Sequence, residues 1–268
     1  MDRQPVVAGR FYDADPVRLA RDVDGYLATE APGAGHTLLA MVPHAGYVYS
    51  GSVCGQTLAS AALAPTILLL GPNHTGLGRP FALWPDGAWH VPGASLPVDA
   101  ALASALLAAD PRIEPDTAAH LREHSIEVIL PFLHRLDPSV SMVPLAIASR
   151  VFEEVEGVGR AIGKAIKAFK RPVSIVVSSD MSHYISHDQA KRLDALALKA
   201  AVALDPRGLF DTVRAQSISM CGVLPMTVGL YAALEMGATR GQLVAYATSG
   251  EVSGDFDQVV GYAGVLVE

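Results

Sequence analysis

Ile67-Leu68-Leu69-Leu70 running into Gly71-Pro72-Asn73-His74 decides how this chain is read. Four consecutive branched apolar residues leave no polar face, which suits a strand buried on both sides. The Gly-Pro pair then ends the run, and a polar loop presents a histidine. The pattern recurs twice. Leu38-Leu39-Ala40-Met41-Val42 runs into Pro43-His44-Ala45-Gly46, and Val173-Ser174-Ile175-Val176-Val177 runs into Ser178-Ser179-Asp180-Met181-Ser182-His183. In an open α/β sheet, ligands bind in the crevice beyond the carboxyl ends of the strands, so three such loops can converge on one site. A metal centre is the economical expectation.

Working outward, apolar or β-branched runs bounded by Gly, Pro or Ser predict strands at 38–42, 66–70, 80–84, 140–147, 173–178, 242–248 and 259–267. Helices are expected between them, at about 16–28, 52–63, 99–109, 124–136, 151–170, 187–204, 206–215 and 222–236. Val151, Val155, Val158, Ile162 and Ile166 recur every three or four residues, the stripe of a helix lying on a sheet. Alternation of this kind predicts an α/β fold with a mixed, mostly parallel sheet flanked by helices. Residues 31–35 form the one linker-like stretch, too short to divide two domains, so a single domain over 1–268 is expected.

A net charge of −7 and the lack of any basic run exclude a nucleic-acid-binding surface, because affinity for phosphate backbones comes from clustered Lys and Arg. Only Cys54 and Cys221 occur, far apart, which fits a reducing cytoplasm better than a disulfide scaffold. No apolar run approaches bilayer length and none resembles a signal peptide, so the expectation is a cytoplasmic chain without membrane partners.

Among the chemistry-bearing residues, His44 precedes Ala45-Gly46 and the aromatics Tyr47 and Tyr49, with Gly51-Ser52 expected to open a helix. Those glycines suit a tight loop around an ion, and the aromatics can wall a pocket. Cys221 precedes an apolar helix whose Pro225 must lie in the first turn, which puts the thiol near a helix amino terminus that favours thiolate. Cys54 is expected to be a small buried hydrophobe. Asp180 and His183 share a strand-end loop, with His187 and Asp188 following. A carboxylate beside an imidazole suits general acid/base work or the support of a metal ligand. His120-Leu121-Arg122-Glu123-His124 also matches the H-x-x-E-H pattern of a zinc protease, a rival that needs one helix to carry both histidines. Alternatively His124-Ser125-Ile126-Glu127 starts its own helix, with His124 and Glu127 facing the cleft as supporting groups.

Six segments in register, Arg3 to Tyr12, Pro43 to Tyr47, Gly71 to His74, Glu123 to Glu127, Ser178 to Asp180 with His183, and Cys221-Gly222, together resemble the Memo-like family. That family is similar in fold to the class III extradiol dioxygenases, which hold ferrous iron with two histidines and a carboxylate. The resemblance implies that His44, His74 and Cys221 take the ligand positions, with Asp180 and His183 as the catalytic pair beside them. Substrate contacts are expected from Tyr47, Asn73 and His124. A thiolate in place of the carboxylate softens the site, so iron(II) or copper is expected, with zinc also compatible.

Two functions are carried forward. One is a metal-dependent oxidoreductase acting on a small molecule. The other is a non-catalytic module that holds an anionic peptide or metabolite at helix amino termini in the same cleft.

Overall fold

A computed structural model of the chain describes residues 1–28 and 35–268; of the stretch expected to be a linker, 31–34 lie outside the described residues. In chain order the strands are β1 (Leu39–Val42), β2 (Thr66–Pro72), β3 (Phe81–Leu83), β4 (Ala88–Val91), β5 (Ala94–Pro97), β6 (Glu114–Pro115), β7 (Ser141–Ile147), β8 (Val173–Ser178), β9 (Asp180–Ile185), β10 (Gly241–Thr248) and β11 (Val259–Val267). The helices are α1 (Pro16–Leu27), α2 (Tyr47–Ala59), α3 (Ala100–Ala109), α4 (Leu130–Leu136), α5 (Phe152–Ala168), α6 (His187–Val202), α7 (Pro206–Ala215), α8 (Val223–Met236) and the single turn α9 (Gly250–Ser253).

The main sheet runs β10-β11-β1-β8-β2-β7-β3-β6, with β9 also paired to β11. Its centre, β1-β8-β2-β7, is parallel, whereas β11 pairs antiparallel with β1, β9 and β10. The sheet is therefore mixed, and its parallel strands are apolar throughout because both faces are covered. Alternate residues go to opposite cores. Leu39, Met41, Leu68 and Leu70 pack beneath α5, α6, α7 and α8, while Ala40, Val42, Ile67 and Leu69 pack beneath α1, α2 and α4.

Three neighbouring parallel strands, β1, β8 and β2, end side by side at Val42, Ser178 and Pro72. That adjacency brings the loops of His44, Asp180 and His74 to one edge of the sheet.

Several local expectations give way to tertiary contacts. Helix α2 opens at Tyr47, not near residue 52, and Gly51 and Gly55 lie inside it. Their role is clearance: a Cβ at Gly51 would sit 2.7 Å from the Tyr26 ring, and one at Gly55 would strike the Tyr26 carbonyl. Residues 180–185, expected as loop, are the strand β9, and the β4–β5 hairpin was not anticipated. The helix expected over 124–136 is a 3₁₀ turn at Glu127–Ile129 followed by the short α4. Ser186 caps α6 through its bond from the Gln189 N–H. No helix among the described residues is long and apolar enough to cross a membrane.

Candidate metal centre

His44 stands two residues beyond β1, and two contacts fix it. Its backbone N–H donates to Asp180 Oδ1 at 2.8 Å, and its ring Nδ1 meets Ser178 Oγ at 2.5 Å. Ser178 Oγ donates its own hydrogen to the Ser125 carbonyl at 2.6 Å, so towards the ring it is an acceptor, and Nδ1 carries the proton. Nε2 is left as a bare lone pair, 3.5 Å from Cys221 Sγ. Burial, with His74 and His124 close by, holds the imidazole well below the ordinary histidine range, which keeps it neutral and fit to ligate.

His74 is fixed from the other side. Its Nδ1 donates to Glu123 Oε1 at 2.9 Å, and its backbone N–H donates to Oε2 of the same carboxylate at 2.6 Å, which again leaves Nε2 free. Glu123 Oε1 also accepts the backbone N–H groups of His124 and Ser125 at 2.9 Å each. Burial alone would raise this carboxyl, but the His74 hydrogen bond, the charges around it and the Ser125 N–H hold it at about 2. The ionised carboxylate in turn holds His74 above the ordinary histidine value, against the lowering effect of burial. This is the carboxylate–histidine arrangement that orients a metal ligand and raises its basicity.

Cys221 sits just before Gly222, the residue that caps α8. No side chain fits at Gly222 because Ser179 lies against it, and Ser179 Oγ accepts the Gly222 N–H at 3.1 Å. That close approach lays the sulfur beside β9, where it accepts the Asp180 N–H at 3.2 Å. The expected thiolate-favouring shift is reversed here: burial, followed by the Asp180 carboxylate, pushes the thiol well up. A bound cation supplies the charge that draws off such a proton.

Ligand atoms of His44, His74 and Cys221 all lie within 4.8 Å of one another, close enough for a common ion. A second grouping, His74, Glu123 and His124, meets the same spacing. Four hydrogen bonds already occupy its carboxylate, which marks Glu123 as the group that positions His74.

The remaining expected residues divide. The His124 ring stacks on His74 with centroids 5.0 Å apart, lies 5.6 Å from His44, and is backed by Phe11 at 4.7 Å. His183 donates from Nδ1 to the Ser219 carbonyl at 3.0 Å, which leaves its Nε2 bare. It stands near enough to His44 and Asp180 to influence the titration of both. Asp180 is buried, and burial raises its carboxyl.

Tyr47 and Asn73 commit their polar atoms within the fold. Tyr47 is buried between Tyr12, Tyr26 and Phe132, with its hydroxyl donating to the Val128 carbonyl at 2.7 Å. Asn73 spends its side chain closing its own turn: Nδ2 donates to the Leu77 carbonyl, and Oδ1 accepts from Thr75 and Gly76. His187 is tied to Thr248 at 2.9 Å.

The zinc-protease geometry is also absent. Residues 117–122 form turns, not a helix, and His120 is buried against Trp84 and Trp89 with Nε2 donating to the Ala82 carbonyl at 2.8 Å.

The residues missed from sequence are the supports, Ser178 and Glu123; Glu127, expected to face the cleft beside His124, is turned instead to the amino-terminal segment. That buried carboxylate collects the Arg3 guanidinium at 2.7 Å, the Val6 and Val7 N–H groups and the Tyr12 hydroxyl, which pins the amino-terminal segment and its Phe11 against the site. Arg3 also donates to the carbonyls of His120 and Glu123, which secures the loop that carries Glu123.

A profile of the Memo-like protein family matches residues 3–266. The chain belongs to this family. The Memo-like chain is similar to a MEMO1 family protein of Methanopyrus kandleri, at 40% identity over 99% of both chains. It is also 38% identical to one of Methanosarcina barkeri, covering 99% of this chain and 100% of the relative. A third relative, from Aquifex aeolicus, is 37% identical over 98% of each. Among solved structures, an uncharacterized Escherichia coli protein, JW3007, superposes with a TM-score of 0.54 at 14% identity, over 85% of this chain and 99% of that one. That likeness shows a shared fold. Within the Memo-like chain, all six segments that carried the resemblance lie at the metal-competent cluster or support it.

Proposed function

We propose that this Memo-like protein holds one transition-metal ion on His44, His74 and Cys221 and uses it, as iron or copper, in a redox reaction on a small molecule. The observation that carries this reading is the orientation of the donors. Two imidazoles have their Nδ1 hydrogens committed to Ser178 and Glu123, so both present Nε2, and a thiol completes a set whose atoms lie within 4.8 Å of one another.

Two imidazoles and one thiolate suit copper(I), zinc or thiolate-bound iron, and a redox-active ion would supply electron transfer and an open position for substrate. The chain's own groups supply the rest. Asp180 anchors the His44 backbone. His183 offers a bare Nε2 that can take a proton from a substrate group and return it. Phe11 backs the His124 ring, which stacks on His74 and holds one side of that partly exposed imidazole.

A module that binds anions at helix amino termini is less well supported. The first N–H of α2, on Tyr47, already donates to the Phe11 carbonyl, and the Gly222 N–H at the start of α8 donates to Ser179.

Metal analysis and electron paramagnetic resonance of protein prepared without air test the proposal. Close to one iron or copper per chain, lost in Cys221→Ala, is expected. Protein that stays metal-free after anaerobic reconstitution with ferrous and cuprous ions overturns it.

A further inference from the structure

Strand β9 carries more residues than the stretch of β11 it pairs with. Asp180 stands opposite Tyr262 and His183 opposite Val260, so a step of three positions on β9 is matched by a step of two on β11. Strand β11 is itself regular here, since Tyr262 and Ala263 pair in turn with Ala247 and Tyr246 of β10. The extra residue is therefore a bulge in β9, at Met181-Ser182. A second extra residue, Tyr184, follows at φ +57° and lets Ile185 pack against the core.

The first bulge decides which side chains share a face. In a regular strand, residues three apart point to opposite faces. Here Asp180 and His183 are opposed by two residues of β11 that are two apart and share a face, and opposed residues of an antiparallel pair point the same way. Asp180 and His183 thus both face the cleft: Asp180 Oδ1 accepts the His44 N–H at 2.8 Å, and His183 stands near enough to His44 to influence it. Met181 goes the other way, into the core.

A bulge strips a backbone N–H of its ladder partner. That of Ser182 donates to Asp194 Oδ1 at 3.1 Å, and Ser182 Oγ donates to the same oxygen at 2.5 Å. Asp194 belongs to α6 and passes over β11 to reach β9, where a Cβ at Gly261 would strike its carboxylate. Its Oδ2 accepts the Tyr246 hydroxyl of β10 at 2.8 Å. Ser182 and Asp194 are both 0% exposed. An ionisable group this deep is a costly way to fill a core, and the metal-competent cluster makes no direct use of it.

We infer that Asp194 is a positioning residue for the proton-transferring group: by taking the polar atoms that the bulge frees at Ser182, it holds His183 on the same face as Asp180. The inference rests on the reading of His183 given above. The residue next to Ser182 is His183, whose N–H donates to Ser219 Oγ at 2.7 Å and whose Nδ1 donates to the Ser219 carbonyl at 3.0 Å. Fixing Ser182 fixes the backbone from which that ring hangs, and so keeps Nε2 bare.

Nitrogen NMR of the metal-free full chain with labelled histidines tests this. A chain that never takes up metal would overturn the reading of the centre and leave this result standing. At a pH about two units above the ordinary histidine value, His183 should show a protonated Nδ1 and a bare Nε2. Asp194→Ala should lower the ratio of that tautomer to its alternative by about tenfold, the weight of one hydrogen bond, while the His120 ring, tied to the Ala82 carbonyl, keeps its shifts. Asp194→Asn keeps an acceptor for Ser182 and should restore the wild-type ratio, which a general loss of stability would not do. Should Asp194→Ala not fold, Ser182→Ala removes one of the two bonds, and a shift of about threefold in the same direction is expected. A wild-type His183 protonated on Nε2 overturns the inference. So does a ring unmoved in the folded Ala variant, moved alike by Asn and Ala, or moved together with His120.

Discussion

His74 and Glu123 meet ring nitrogen to carboxylate oxygen at 2.9 Å, and the same carboxylate also takes the His74 backbone N–H. One side chain thus sets both the position and the protonated nitrogen of the imidazole proposed to hold the metal, 49 residues away. Glu123→Gln keeps the shape but gives up the charge. Support of this kind is worth about 10- to 100-fold in metal affinity. Titration against a chelator of known affinity should show a loss in that range, while the thermal midpoint of the metal-free protein changes far less than the affinity.

Ser178 does for His44 what Glu123 does for His74, through a neutral hydroxyl. Ser178→Ala leaves Nδ1–H without its acceptor in a buried setting and frees the ring to change tautomer. A fall of about tenfold or more in metal affinity is expected, at the lower end of effects for such supports. Combined with Glu123→Gln the losses should exceed either alone, as measured by the same competition.

The Arg3–Glu127 ion pair is buried at both ends, with side-chain exposures of 1% and 0%. Removing one partner of such a pair destabilises by about 3–5 kcal/mol, because the other charge stays buried. Arg3→Ala should lower urea-unfolding stability by that order. It should also loosen the amino-terminal segment, read as faster hydrogen exchange at Val6 and Val7, whose N–H groups Glu127 holds.

Asp194 gives a pH dependence of known sign. It is fully buried, with Ser182 and Tyr246 as its hydrogen-bond partners among the described residues, and burial raises its carboxyl above the ordinary value of 3.8. A group whose pKa is raised on folding contributes stability that is complete below its unfolded pKa and is lost as pH rises through the folded one. The wild type should therefore gain on Asp194→Asn as pH falls from 7 towards 4. Thermal melts of the two metal-free proteins across that range check it; a difference that is flat or runs the other way contradicts it.

How much of this was legible depends on the distance over which each feature is decided. The strand ends at Val42, Pro72 and Ser178 are marked locally, by apolar runs that stop at Pro or Ser, and so the loops of His44, His74 and Asp180 could be found along the chain. Cys221 was legible through the helix start after it. The supports were not, because Glu123 and Ser178 act across 49 and 134 positions, and nothing beside them in sequence points to their partners. Strand β9 was hidden for a related reason: Asp180 and Ser182 look like loop residues until Cys221, Asp194 and β11 supply their hydrogen bonds. Gly51 looked like a loop glycine and Gly55 like an ordinary position in a helix, but it is Tyr26 that requires both. Gly55→Ala should accordingly destabilise by about 1–3 kcal/mol, the usual result of overpacking.

X-ray absorption at the metal edge, on protein loaded without air with ferrous or cuprous ion, tests the central claim most directly. The account predicts one sulfur and two imidazole scatterers around a single ion, the sulfur lost in Cys221→Ser and one imidazole in His74→Ala. A shell of oxygen and nitrogen only, or one unchanged by Cys221→Ser, would contradict it.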